Sequence, residues 1–198
     1  MNTPVSTGVL NALGMGRDAW DELLGELGEK PYRTEQILKW LHHRFVDDFD
    51  EMTDISRKLR EVLKLRCEIR EPEVISEHLS TDGTRKWLIR SGSGSAVEMV
   101  FIPEATRGTL CVSSQVGCAL DCKFCATGKQ GFNSNLTSAE VLGQVRIAVR
   151  RLATVYPDRL RAVTNVVLMG MGEPLLNFDN VVPAVELMMD DLGYGISK

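Results

Sequence analysis

From residue 108 onward the apolar residues of this chain switch period in strict turn. "GTLCVSS" is a short apolar run of strand type, and "AEVLGQVRIAVRRLATVY" repeats at helical spacing. "AVTNVVLMGMGEP" is a second apolar run that ends in glycines, and "FDNVVPAVELMMDDLG" is helical again, with Pro183 in its first turns. Strand, helix, strand, helix implies crossover connections and therefore parallel strands. Thr137 or Ser138 is the expected cap of the first of these helices. Two such units cannot close a barrel, and they leave a parallel edge without a neighbour. The expected fold class is α/β, with an incomplete (β/α) barrel.

The residues before this alternation read differently. "GRDAWDELLGELG" has helical spacing and a plausible stop at Gly28, and "KPYRTEQILKWLHHRFVDDFDEM" starts a second helix near Pro31. Thr53 or Asp54 is the expected cap of a third, "ISRKLREVLKL". After Pro72 the period becomes that of strands. "EVISEHLS" and "TRKWLIR" read as a hairpin turning at Asp82 and Gly83, "SGSGS" as a second turn, and "AVEMVFIPE" as a strand ended by Pro103. The 198 residues divide into a small helical accessory domain over 1–71, a β-hairpin region over 72–103 and a core over 104–198.

The formal net charge of −4 argues weakly against a nucleic-acid binder. Two local basic stretches exist, from Arg57 to Arg70 and from Arg146 to Arg161, and both read as solvated helix faces. No run approaches the roughly 20 apolar residues of a membrane helix. The N-terminus lacks a basic start followed by an apolar block, so a leader is not expected and the cytoplasm is the default compartment. Thiols stay reduced there, so clustered cysteines suggest a metal or redox role.

Four of the five cysteines lie between Cys111 and Cys125. Cys118, Cys122 and Cys125 form C-x3-C-x2-C. Three close thiolates can hold three irons of a 4Fe–4S cluster and leave the fourth iron open, whereas a cluster normally takes four cysteines. Zinc is the competing reading, with Cys111 as fourth thiolate, but structural zinc usually uses paired C-x2-C elements and there is no second pair. Phe124 between the last two cysteines could cover a bound nucleoside or simply pack into the core. "GMGEP", Gly170 to Pro174, ends the last apolar strand, where the active sites of βα barrels lie. Glu173 is placed there to accept hydrogen bonds from a ligand, although a plain glycine turn before a helix fits the same residues. On residue type alone, Cys111 is a buried small residue and Glu98 a solvent-facing strand residue. His42 and His43 are adjacent on a helix and are not expected to share a metal.

C-x3-C-x-F-C followed by a glycine-rich strand end resembles the radical S-adenosylmethionine (SAM) superfamily. "FIPEATRGTLCVSSQVGCALDCKFCATGKQGFNSNLT", "TNVVLMGMGEPLLNFDNVVPA" and the N-terminal "KPYRTEQILKWLHHR" resemble, more narrowly, the RNA adenine methyltransferases of the RlmN/Cfr type, over essentially the whole chain. The resemblance implies a radical SAM barrel, of which this chain would be the first part. It implies a 4Fe–4S cluster on Cys118, Cys122 and Cys125. It also implies SAM held at Gly172 and Glu173 with Phe124 nearby. The implied reaction is methylation of carbon 2 of adenosine in 23S rRNA and tRNA, with carbon 8 as the alternative branch and a zinc-binding RNA module as the non-catalytic alternative. One SAM methylates an enzyme cysteine, and a second yields the radical that activates that methyl group. A covalent RNA adduct forms, a base takes the ring proton, and a second cysteine resolves the adduct as a disulfide. Glu98 matches the proton acceptor and Cys111 the resolving cysteine. The methyl-carrying cysteine has no match, Cys67 being read as structural, so the chain alone is expected to be inactive. Implied partners are the two RNAs and an electron donor such as flavodoxin, for a monomer with no membrane contact.

Overall fold

The computed structural model describes residues 8–120 and 122–196. Residues 1–7, part of the stretch read for a leader, lie outside the described residues, as do the last two residues of "YGISK".

The described residues up to Arg70 form three α-helices tied off by a short parallel pair. β1 (Leu10–Asn11) leads through a 3-10 turn into α1 (Arg17–Glu26), α2 (Tyr32–His42) and α3 (Arg57–Arg66). β2 (Cys67–Glu68) then returns to lie beside β1. The helices meet through Trp20, Leu23 and Leu24, through Ile37, Leu38, Trp40 and Leu41, and through Leu59 and Leu63, all buried. Burial of each such side chain stabilises by about 1.5–3 kcal/mol. The second helix is shorter than its apolar pattern suggests. Beyond His42 the backbone turns, Phe45 takes φ 54°, and a 3-10 turn over Phe49–Glu51 follows. The third helix is capped by Ser56, whose hydroxyl accepts the Leu59 N–H, and not by Thr53 or Asp54. Asp54 is engaged elsewhere: its carboxylate accepts the indole N–H of Trp40.

The remaining strands make one five-stranded sheet and one small hairpin. β3 (Glu73–Leu79), β4 (Arg85–Arg90), β5 (Ala96–Pro103) and β6 (Gly108–Cys111) run antiparallel in order. β7 (Gln115–Gly117) pairs with β8 (Phe132–Asn135) across the cysteine loop. α4 (Ser138–Val155) then crosses back, and β9 (Asn165–Val167) lies parallel to β6. A 3-10 turn over Pro174–Asn177 runs into α5 (Phe178–Met189). The sheet order is therefore β3-β4-β5-β6-β9, with the antiparallel strands β3 to β6 continuing into the parallel β6–β9 pair. One face carries Trp87, Ile89, Val97, Met99, Phe101 and Leu110 into the core shared with Val141, Leu142, Val145, Ala148 and Leu152 of α4. The strand expected over "AVTNVVLM" shrinks to three residues. α4 starts with a capping box in which Thr137 and Glu140 exchange bonds. Among the described residues no helix is long and apolar enough to cross a membrane.

The second basic stretch is not a solvated face. Arg146 is fully buried. Its guanidinium donates to the carbonyls of Leu41, Phe45 and Val46 and to the Asp47 carboxylate, where the carbonyls at the end of α2 would otherwise lack donors. Arg150, one turn on, pairs with Asp47 and Glu71 at 2.9 Å each. α4 is thereby fastened to the helical unit.

Candidate functional site

Because β6 and β9 are parallel, the chain leaves both at the same edge of the sheet. Residues 112–114 and the cysteine loop follow β6, and the glycine turn follows β9. The two exits stay side by side. Val112 N–H donates to Val167 O (2.9 Å), Gly170 N–H to Val112 O (3.1 Å), and the N–H groups of Ser114 and Gln115 both reach Met171 O (2.8 and 3.1 Å). Glycine is needed at two points of this approach. A Cβ on Gly170 would stand 2.7 Å from Ser113 Oγ and from Val112 O. One on Gly172, at φ +94°, would stand 2.5 Å from Gln115 Cβ.

Buried polar side chains complete the junction. Ser113 Oγ donates to Glu98 O (2.6 Å) and accepts Met171 N–H (2.8 Å). Gln144 of α4 holds both backbone groups of Ser113, accepting its N–H at 2.8 Å and donating to its carbonyl at 2.9 Å. Asn177 donates to Ser114 O and Leu136 O. Gln115 accepts Glu173 N–H at 2.9 Å and donates to Asn135 at 2.8 Å. Ser113, Ser114, Gln115, Gln144 and Asn177 are each 2% exposed or less. Reading by residue type missed all five. The available sign was a polar triplet, "SSQ", between an apolar strand and a loop.

Glu98 and Cys111 lie on the sheet face opposite the core. Cys111 pairs with Val100, two residues from Glu98 on the same side of β5. Glu98 forms an ion pair with Lys86 at 2.9 Å, both about half exposed. Burial raises the Cys111 thiol above its usual range, opposed by the Met169 N–H. Glu173 accepts the Leu175 N–H at 3.1 Å and so caps the short turn that follows it. Phe124 does not pack into the core: it is 94% exposed.

Cys118, Cys122 and Cys125 share one loop and are each partly exposed. Among the described residues no three His, Cys, Asp or Glu side chains are grouped to hold a metal ion. The donor chemistry of the loop nevertheless suits an iron–sulfur group. Cys118 Sγ accepts Leu120 N–H at 3.4 Å, and N–H groups of Gly128 and Thr127 hold the Cys125 thiol below its usual range. Backbone donors of this kind also stabilise metal-bound thiolates. Cys67 opens β2 opposite Leu10 of β1 and is buried, and desolvation pushes its thiol up to about 11. His42 is buried against Tyr194, and His43 bonds Asp191 O. Neither faces the cysteine loop's thiols as part of a metal grouping.

Residues 10–69 match the family described as the ribosomal RNA large subunit methyltransferase N-terminal domain, RlmN_N. Over 193 residues, 98% of its length, the chain is 61% identical to the dual-specificity RNA methyltransferase RlmN of Pseudomonas fluorescens, covering 50% of that protein. The RlmN of Pseudomonas putida is equally similar, with 51% of its length covered. This chain matches the N-terminal half of RlmN. It thus spans about half the length of the curated relatives it matches. The crystal structure of a radical SAM methyltransferase from Sphaerobacter thermophilus superposes with a TM-score of 0.83 at 34% identity, over 95% of this chain and 54% of that one. The mixed α/β fold of this chain is therefore similar to that of a radical SAM methyltransferase.

Proposed function

We propose that this chain belongs to a radical SAM RNA methyltransferase that methylates carbon 2 of adenosine in 23S rRNA and tRNA, and that residues 104–198 are the opening part of its (β/α) barrel. The observation that carries this reading is the junction of the two parallel strand ends. There the run into Cys118, Cys122 and Cys125 is bonded directly to the turn bearing Gly172 and Glu173. Ligand sites of parallel α/β sheets gather at that edge. The similarity to RlmN proteins over 98% of the chain supports the substrate class.

The three cysteines would hold a 4Fe–4S cluster. Bound with SAM, that group supplies one-electron cleavage of the sulfonium, chemistry that the protein positions. Gly172, having no Cβ, lets the turn close against Gln115, and this turn, with Glu173 as an acceptor, would receive the amino end of SAM. Phe124 stands free in the loop to cover a nucleoside. Glu98 accepts the proton from the adenine ring, with Lys86 beside it as a cationic partner. Cys111, on the same face, resolves the RNA adduct by forming a disulfide with the cysteine that carries the methyl group. The proposed partners are the two RNAs and a flavodoxin-like electron donor, for a cytoplasmic monomer.

Anaerobic incubation with iron and sulfide tests this reading. The expected product is a brown, oxygen-sensitive protein with about four irons per chain. Its colour is lost in Cys118→Ala, Cys122→Ala or Cys125→Ala and kept in Cys67→Ala. A colourless protein that takes up zinc in equal measure would reverse the assignment.

A further inference from the structure

Gln115 is not one of the residues assigned a chemical role above, yet its side chain joins the cysteine loop to the turn that carries Glu173. It is 1% exposed and sits three residues before Cys118. Its carbonyl accepts the backbone N–H of Glu173 at 2.9 Å, and its amide donates to Asn135 Oδ1 of β8 at 2.8 Å. β8 is the strand by which the cysteine loop returns. One carboxamide therefore spans the entry of the loop, its exit and the glycine turn. The fit is tight, because Gly172 lies against the Gln115 side chain with no room for a Cβ. Two more buried carboxamides lock the same frame from outside: Gln144 clamps Ser113, and Asn177 clamps Ser114.

We infer that Gln115 is the positioning residue that sets the Gly172–Glu173 turn at its distance from the cysteine loop, and thereby determines the affinity for SAM. The inference rests on the functional reading above. Glu173 caps the following turn through its carboxylate while its N–H is held by Gln115, so both ends of this residue are fixed. Loss of the acceptor leaves a backbone N–H unpaired, and the turn gains freedom to drift from the loop. A ligand that must touch both loop and turn is then bound less tightly, because its site is no longer preorganised.

The test compares wild type with Gln115→Met, which keeps the length but has no acceptor oxygen, and Gln115→Glu, which keeps the acceptor while the Asn135 amide can turn to donate. In the chain before loading, hydrogen exchange over residues 171–175 is expected to quicken in Gln115→Met and to stay near wild type in Gln115→Glu. After anaerobic loading all three are expected to hold equal iron. The SAM concentration that half-saturates the change in the reduced cluster's electron paramagnetic resonance signal then rises about tenfold in Gln115→Met and returns to within about threefold in Gln115→Glu. Equal SAM affinity in Gln115→Met and wild type overturns the inference and leaves the functional reading intact. Loss of iron in Gln115→Met also overturns it, by assigning the residue to folding of the loop. A wild-type chain that binds no iron at its cysteines overturns the functional reading, and the inference falls with it.

Discussion

Arg146 brings a full positive charge to a place where its side chain keeps 1% of its exposure, and four oxygens meet it there. Its Nε makes no hydrogen bond but faces Glu71 at 3.7 Å, and removing the guanidinium strands the buried carbonyls it holds. Arg146→Met is therefore expected to lower stability by about 3–5 kcal/mol, seen as an earlier urea midpoint. Arg146→Lys should recover little, since one ammonium cannot reach the carbonyls of Leu41, Phe45 and Val46 as a planar fork does. A midpoint unchanged in Arg146→Met would mean that Arg146 adds nothing net to what Arg150 and the apolar contacts of α4 already supply. The sequence could not reveal this role. Arg146, Arg150 and Arg151 look alike in a helix, and only the approach of Asp47 and Glu71 from distant segments decides which one is buried. The candidate chemical residues carried a local mark. Cysteine spacing and the glycine turn are local patterns, whereas Gln115, Gln144 and Asn177 carry no mark that separates a buried clamp from a surface amide.

At the scale of elements, strong local chemistry was legible and weak local chemistry was not. The Asp82–Gly83 turn is where the pattern puts it, with Gly83 at φ 85° and Asp82 accepting the Thr84 N–H. The helix after the loop starts at Ser138 behind Thr137, as its cap residues imply. β7 and β8 were missed because three and four residues are too few for a period, and their pairing is closed by contacts across the cysteine loop. β1 and β2 were missed for the same reason. The Thr137 cap has a second duty, since Glu140 of the same box accepts the Gly92 N–H and so joins α4 to the turn between β4 and β5. Thr137→Ala is expected to cost about 1 kcal/mol through the lost cap. Glu140→Ala should cost more than Thr137→Ala in the same denaturant titration, because it also frees Gly92. An equal cost for the two would show that the Gly92 bond adds nothing to stability.

For the whole molecule the decisive question is whether the helical unit and the sheet unfold together, and His42 offers a reporter. It ends α2, is 2% exposed, and its ring meets Tyr194 edge-on at 5.4 Å between centroids. Tyr194 belongs to the segment after α5, so this contact crosses from the helical unit to the far end of the described chain. Burial first, then the nearby charges of Arg146 and His43, push the His42 imidazole down to about 3, against a weaker opposing pull from Asp190. In the unfolded chain it titrates near 6.5. Between these values the unfolded state binds the extra proton, so stability is full above the unfolded value and falls as the pH drops. From pH 7 to pH 5.5 the loss is expected to be about 1 kcal/mol. Asp47 and Asp190 are held below the usual carboxylate range by their arginine partners, so their contributions are lost only in stronger acid. Glu71 acts in the opposite sense, because burial raises its carboxyl. Comparison with His42→Phe removes that background, since Glu71 is present in both proteins. The expected outcome is a wild-type urea midpoint that falls relative to that of His42→Phe as the pH drops over this range. If the two units unfold as one, tryptophan fluorescence from Trp20 and Trp40 and from Trp87 in β4 should give one transition with that same pH slope. Parallel slopes in wild type and variant would mean that His42 takes up its proton without leaving the folded interface.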